Sequence, residues 1–287
     1  MTPPPRGGAL QVALICGAGD FPAAAAADAQ AHGADIFLIG LKGIAACSIE
    51  QFPHVWVGLG EIGRLLTHLR ERGISRVALI GAITRPDLAD LRPDWGAVRR
   101  LPDLARLLRG GDDHVLRNVI RFLEGEQLTV ISVLDVAPGL ALPTGAFTSV
   151  QTSAQARADI ALGRAALEAM APFDVGQAIA VADGRILAIE AAEGTDAMLA
   201  RIAAARATGR VRARHAGVLV KAAKRGQDLR ADLPAIGPAT IEGVIRAGLA
   251  GVALEAGRVI VADQATVRRA ATEAALFITG FAPGADP

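Results

Sequence analysis

Only two cysteines occur in 287 residues, Cys16 and Cys47, and their spacing matches no metal site. That argues against a disulfide scaffold and fits a reducing compartment. Aromatic residues make up 3% and the net charge is +1, so the chain lacks both the stacking platforms and the basic surface that nucleic-acid binding needs. No run of 18 apolar residues exists to span a membrane. The opening "MTPPPRGGAL" has no apolar core of a signal peptide. The expected location is cytoplasmic, with at most peripheral contact with the inner membrane. There is no Walker A loop, no internal repeat, and no apparent Ser-His-Asp or Cys-His arrangement. Lysine is scarce too: of 30 basic residues only Lys42, Lys221 and Lys224 are lysines. In a chain biased this far toward arginine a retained lysine is worth noticing, and two of the three fall in "VKAAKRG".

What is present is orderly. "QVALICGAGDFP" reads as a buried strand broken by glycines, and "FPAAAAADAQAHG" as a helix stopped at Gly33. "ADIFLIGLKG" is a second strand. Ile62, Leu65, Leu66 and Leu69 share one face of a helix that ends at Gly73. "ISRVALIGAITRP" is a third strand, helices follow across 98–125, and "LTVISVLDV" is a fourth strand. Alternation of this kind predicts an α/β fold, with a Rossmann-like parallel sheet over residues 1–136. "APGLALPTGAFTS" (137–149) reads as a linker. Residues 150–287 predict an α+β domain with a mixed sheet. There Thr152 and Gln155 form a capping box for a helix over 153–170, and Asp183-Gly184 turns a hairpin. "GVLVKAA" is a strand, "ATIEGVIRAG" a helix, "GVALEAGRVIVAD" a strand–turn–strand, and 264–275 a final helix.

Several stretches carry candidate chemistry. Gly17 and Gly19 follow the first strand, where backbone N–H groups approach a phosphate at a helix N-terminus. Pro22 replaces the third glycine of the dinucleotide fingerprint, and no acid ends the second strand, so a plain tight turn competes with NAD binding. "GAITRPDL" places Thr84, Arg85 and Asp87 beyond a strand end, where ligands of open α/β sheets sit; a proline turn is the bland alternative. "RGGDDHVLRN" contributes Gly111 and Asp112 as substrate-binding candidates, with Asp112 or Asp113 as a helix cap. Glu190, Glu193 and Asp196, with the Thr195 hydroxyl among them, suit a hard cation such as Mg²⁺ or Mn²⁺; Thr195 or Asp196 would also cap the following helix. In "VLVKAAKRGQDLRADLPAIGPAT" the cations Lys221, Lys224, Arg225 and Arg230 lie near Asp228 and Asp232. That mixture is what phosphoryl transfer uses, with Pro234 and Pro238 stiffening the loop; the bland alternative is a solvated connection. Gln227, Pro234, Gly237 and Thr240 complete the substrate-binding candidates.

"DVGQAIAVADGRILAIEAAEGTDAML" and "VKAAKRGQDLRADLPAIGPATI" resemble the LpxI-type UDP-2,3-diacylglucosamine pyrophosphatase family of lipid A biosynthesis. "ICGAGDFP", "GLGEIGRLLTHL", "GAITRPDL" and "GDDHVLRNVI" resemble the same family in the same order, so the likeness covers nearly the whole chain. Cys16 and Asp20 depart from the pattern. The resemblance implies a Mg²⁺-dependent hydrolase that cleaves UDP-2,3-diacylglucosamine to UMP and 2,3-diacylglucosamine 1-phosphate (lipid X). It further implies two domains with substrate held between them. Asp232 is the implied catalytic aspartate and, with Glu190, Glu193 and Asp196, an expected metal ligand; Lys221 and Lys224 are its expected cationic partners. A homodimer is compatible with the sequence. Two other classes, a nucleotide-linked oxidoreductase and a non-catalytic lipid or nucleotide carrier, are separated from this reading by NAD(P)H absorbance and by phosphate-release assays with and without EDTA.

Overall fold

β-Branched and leucine-rich runs in the first half form parallel strands of two to seven residues. The computed structural model describes residues 10–82, 112–173, 175–211, 216–225, 227–230 and 233–284. Strands β1 (Gln11–Cys16), β2 (Asp35–Leu41), β3 (His54–Val57), β4 (Arg76–Ile80) and β5 (Thr129–Val130) lie in the order β3-β2-β1-β4-β5. Every pairing among them is parallel. Ala13, Ile15, Phe37 and Ile39 pack against helices α2 (Ile62–Glu71) and α3 (Asp112–Gly125) through Leu65, Leu66, Leu69, Ile120 and Leu123. The alternate residues Val12, Leu14, Ile36 and Leu38 are buried as well, and α1 (Phe21–Ala31) packs on β1 and β2. Burial of both faces is why these strands read as continuous apolar runs.

The second half builds a six-stranded mixed sheet, β6-β13-β11-β9-β7-β8. Its strands are β6 (Gly145–Ala146), β7 (Ala178–Ala182), β8 (Arg185–Ile189), β9 (Val218–Lys221), β11 (Gly251–Glu255) and β13 (Phe277–Phe281). β9, β11 and β13 run parallel, while β6, β7 and β8 join antiparallel. One face (Ile179, Val181, Val218, Val220) receives Ala156 and Ile160 of α4 (Ala154–Met170). The other (Ala178, Ala180, Leu219, Val252, Leu254) receives α5 (Gly194–Ala207), α6 (Pro238–Arg246) and α7 (Gln264–Glu273). Short strands β10 (Ala235–Ile236) and β12 (Ile260–Val261) pair in parallel as a separate ribbon.

Two compact units result. One holds the described residues up to Gly139 together with Asp228, Leu229 and Arg230; the other holds Leu140–Gln227 and the described residues from Leu233 onward. The α/β class, the parallel first sheet and the mixed second sheet agree with the sequence reading.

Details differ. β3 adds a strand that the sequence reading omits, and "LTVISVLDV" is strand only at Thr129–Val130. Beyond it Ser132 accepts from the Leu134 N–H and caps a short 3-10 turn. Helix α4 is capped by Ser153, not by Thr152, because the Ser153 hydroxyl accepts from the Ala156 N–H at 3.1 Å. Gln155 instead reaches Asp159 one turn along. "GVALEAGRVIVAD" is strand–turn–strand as read, β11 followed by β12, but the two strands do not pair, since β12 leaves the mixed sheet to pair with β10. The final helix stops at Glu273 and is followed by β13.

Candidate functional site

Lys221 is the last residue of β9, which lies between β11 and β7, and its side chain is only 6% exposed. A buried ammonium needs a counter-charge or strong acceptors. Its Nζ donates to Thr195 Oγ1 at 2.8 Å, and the Thr195 hydroxyl donates to Glu190 Oε1 at 2.7 Å. Thr195 sits in the first turn of α5 and Glu190 follows β8; both are buried. The second carboxylate oxygen of Glu190 accepts the Gln177 N–H at 2.8 Å. Backbone bonds from Gly176 N–H to Glu190 O and from Glu190 N–H to Ala178 O clamp the same segment. A Cβ at Gly176 would stand 2.5 Å from Glu190 Cγ, so only glycine lets the chain pass this close over the carboxylate.

The turn after β9 is fixed largely through main chain. Ala222 N–H donates to Gln177 O, Ala223 N–H to Glu255 Oε2 at 2.9 Å, and Lys224 N–H to Gln227 Oε1 at 2.8 Å. Glu255 ends β11, is 5% exposed and lies 3.5 Å from the Arg258 guanidinium. Arg225 pairs with Glu168. Pro234 is buried beside β10, Gly237 caps α6 with Pro238 in its first turn, and Thr240 is buried one residue pair further on.

Within the first unit Asp228 is taken up by Arg230. Oδ1 accepts from Arg230 N–H and Nε, and Oδ2 from Nη2 at 2.6 Å. The guanidinium holds the Asp228 carboxyl below the usual range. Arg230 also donates to Glu124 of α3 at 2.7 Å.

At the end of β1, the Gly17 N–H donates to Ile80 O at 2.8 Å and the Ala18 N–H to Ala82 O at 2.7 Å. A Cβ at Gly17 would stand 2.5 Å from Ala82 O. This glycine serves the close crossing of β1 and β4 loops, and its N–H is not turned toward a ligand. Gly19 has φ near +90°, and a Cβ there would stand 3.9 Å from the Phe21 ring, an ordinary contact, so this glycine answers to its backbone conformation and not to crowding. Cys16 is buried and its thiol is pushed up to about 12 by desolvation, so it is no nucleophile at neutral pH.

Lys221, Thr195 and Glu190 are thus brought together, while the rest of the expected metal set is not. Glu193 is exposed and pairs with Arg201, and Asp196 is exposed in the first turn of α5. Neither Thr195 nor Asp196 caps α5; Glu193 occupies that position without a side-chain cap bond. Both Glu190 oxygens already accept bonds. Among the described residues no group of three or more His, Cys, Asp or Glu side chains is placed to hold a metal ion. Glu190, Glu193 and Asp196 therefore do not fit Mg²⁺ as a shared protein cage. Asp232, Thr84, Arg85, Asp87 and Gly111 lie outside the described residues, and Asp112 opens α3. Sequence reasoning missed Gln177, which acts through its backbone and leaves no side-chain signal. It also missed Glu255, whose signal was an acid closing the apolar run "GVALE".

Residues 11–140 match the model of the LpxI N-terminal domain, and residues 143–279 that of the LpxI C-terminal domain. The chain is 38% identical over 278 residues to the UDP-2,3-diacylglucosamine pyrophosphatase LpxI of Caulobacter vibrioides, an alignment covering 96% of this chain and 99% of that one. No described helix is long and apolar enough to cross a membrane. With both domain models matched in order and a full-length relative at this identity, the chain belongs to the LpxI family.

Proposed function

We propose that this protein hydrolyses the pyrophosphate bond of UDP-2,3-diacylglucosamine, giving UMP and 2,3-diacylglucosamine 1-phosphate (lipid X) in lipid A biosynthesis. The observation that carries the reading is the end-to-end similarity to a relative bearing the name of that activity. The geometry supports it at Lys221, a buried cation at a strand end in a segment rich in phosphate-binding residue types. Water adds to one phosphorus as the bridging P–O bond breaks, and negative charge grows on the phosphate oxygens. Preorganised cations favour that transition state because they need no reorganisation as charge develops. Lys221 and Lys224 supply this charge. Asp232 supplies a carboxylate, either to hold a metal ion or to orient the water.

Mg²⁺ belongs to this proposal in a restricted form. Magnesium commonly binds through one or two carboxylates plus substrate phosphates, so a single carboxylate such as Asp232 suffices without a protein cage. When bound, the ion neutralises phosphate charge. The Gly17–Gly19 turn favours no oxidoreductase alternative, since the N–H groups of Gly17 and Ala18 are already bonded to the β4 loop. The decisive experiment is incubation of purified protein with UDP-2,3-diacylglucosamine and mass spectrometry of the products. UMP and lipid X are expected in equal amounts, abolished by EDTA and restored by Mg²⁺ or Mn²⁺. An intact substrate under all conditions overturns the reaction, and full turnover in excess chelator overturns the metal.

A further inference from the structure

We infer that Glu190 and Thr195 are positioning residues, a buried relay that aims the Lys221 ammonium, rather than groups that meet metal or substrate themselves. The inference rests on the proposed reading of Lys221 as a phosphate-facing cation.

The three side chains come from three separate elements: the end of β9, the end of β8 and the first turn of α5. Their relative exposures are 6%, 8% and 9%, so none is a surface contact of convenience. Direction is set by chemistry. A carboxylate only accepts and an ammonium only donates, so the Thr195 hydroxyl must give its proton to Glu190 Oε1 and offer a lone pair to Lys221 Nζ. Valine, of nearly the same shape, breaks both links. A serine keeps both.

Glu190 is itself over-determined. Its other oxygen takes the Gln177 N–H at 2.8 Å, its own N–H and carbonyl are bonded to Ala178 and Gly176, and Gly176 leaves room for its side chain. This carboxylate turns one oxygen to a backbone donor and the other to a hydroxyl that leads to Lys221. The arrangement parallels the rule that groups oriented by a supporting shell lose activity when that shell is cut, even though the shell touches no substrate.

If Glu190 and Thr195 act through Lys221, their effects are coupled to it. We expect Thr195→Val to lower kcat/KM for UDP-2,3-diacylglucosamine by about 10²-fold, the scale of a displacement of about 1 Å in a positioning group. Thr195→Ser restores it to within about threefold, and Glu190→Gln falls between. In a Lys221→Met background, Thr195→Val has little further effect, because residues acting as a unit are non-additive. Thermal unfolding of each variant separates loss of fold from loss of function. Should Lys221→Met fail to fold, the Val–Ser contrast at position 195 in folded protein carries the test. Equal activity of the Val and Ser variants overturns the relay, as does an undiminished Thr195→Val penalty in the Lys221→Met background. Wild-type turnover in Lys221→Met sinks instead the underlying assignment of Lys221, a different and distinguishable result.

Discussion

At the scale of single residues, burial changes what a lysine substitution reports. The sequence expectation treats Lys221 and Lys224 alike, as cations of one phosphoryl-transfer segment. The structure separates them: Lys221 is buried and tied to Glu190 through Thr195, whereas Lys224 is only partly buried. Lys221→Ala should therefore lower both turnover and stability, by an amount on the order of 3 kcal/mol, because it strands a buried carboxylate. Lys224→Ala should lower activity and leave stability within about 0.5 kcal/mol. Urea denaturation beside steady-state kinetics resolves the two; equal stability losses would return Lys221 to the exposed class. Asp228 and Asp232 invite a similar separation. Asp228 is spent on Arg230, so Asp228→Asn should preserve most turnover. Asp232→Ala should reduce kcat by about 10²-fold or more while substrate binding persists, the scale for removing a positioned base or charge stabiliser. Greater damage at Asp228 than at Asp232 would move the catalytic assignment. Lysine scarcity made Lys221 visible in the sequence; nothing there revealed that it is buried, since "VLVK" ends a strand with the same letters whether its tip meets solvent or core.

Elements show why some structure was legible and some was not. The hairpin at Asp183-Gly184 was readable because a two-residue turn with both φ values positive demands such residues, and φ is 52° and 74° there. Its anchor was not readable. Asp159 of α4, 1% exposed, accepts the Asp183 N–H at 3.1 Å and the Gly184 N–H at 2.8 Å, across 24 and 25 residues. Helical periodicity sees only an acid on an apolar face. Asp159→Ala leaves those two donors and Gln155 without this acceptor, and unfolding should be easier by roughly 1–3 kcal/mol. A midpoint in urea unchanged from wild type would show that the turn holds itself. β3 escaped because "HVWV" is four residues long, short enough to read as loop. "FITGF" was passed over because a glycine near its end weakens the strand pattern. There Gly280 passes over Pro143 O, which a Cβ would approach to 2.1 Å, so the glycine marks a close backbone crossing instead of a strand end.

On the scale of the whole molecule, two folding patterns were predictable from the change in periodicity near the middle of the chain. The parallel sheet needs long crossovers and continuous apolar runs; the second sheet starts from a hairpin, which forces antiparallel pairing. What pattern alone did not convey is that the chain order and the spatial grouping disagree. Asp228, Leu229 and Arg230 belong with the first unit although they lie near residue 230, and the Arg230–Glu124 ion pair spans 106 residues of sequence. Local composition cannot report such a contact, because each partner is an ordinary surface charge in its own neighbourhood.

That grouping constrains how relatives of this protein can recombine. A chimera that joins the first 139 residues of one family member to the remainder of another has a single seam in the gene, yet it inherits residues 228–230 from the wrong parent for its first unit. Where the parents differ at the positions of Glu124, Asp228 and Arg230, such a hybrid should melt below both. Restoring only the short 228–230 segment from the first parent should recover the loss, as read by thermal unfolding; no recovery would mean that the segment is a passenger. Inheritance here therefore runs in four pieces rather than two, and a library built by shuffling at the obvious midpoint would discard sound combinations for want of one short segment.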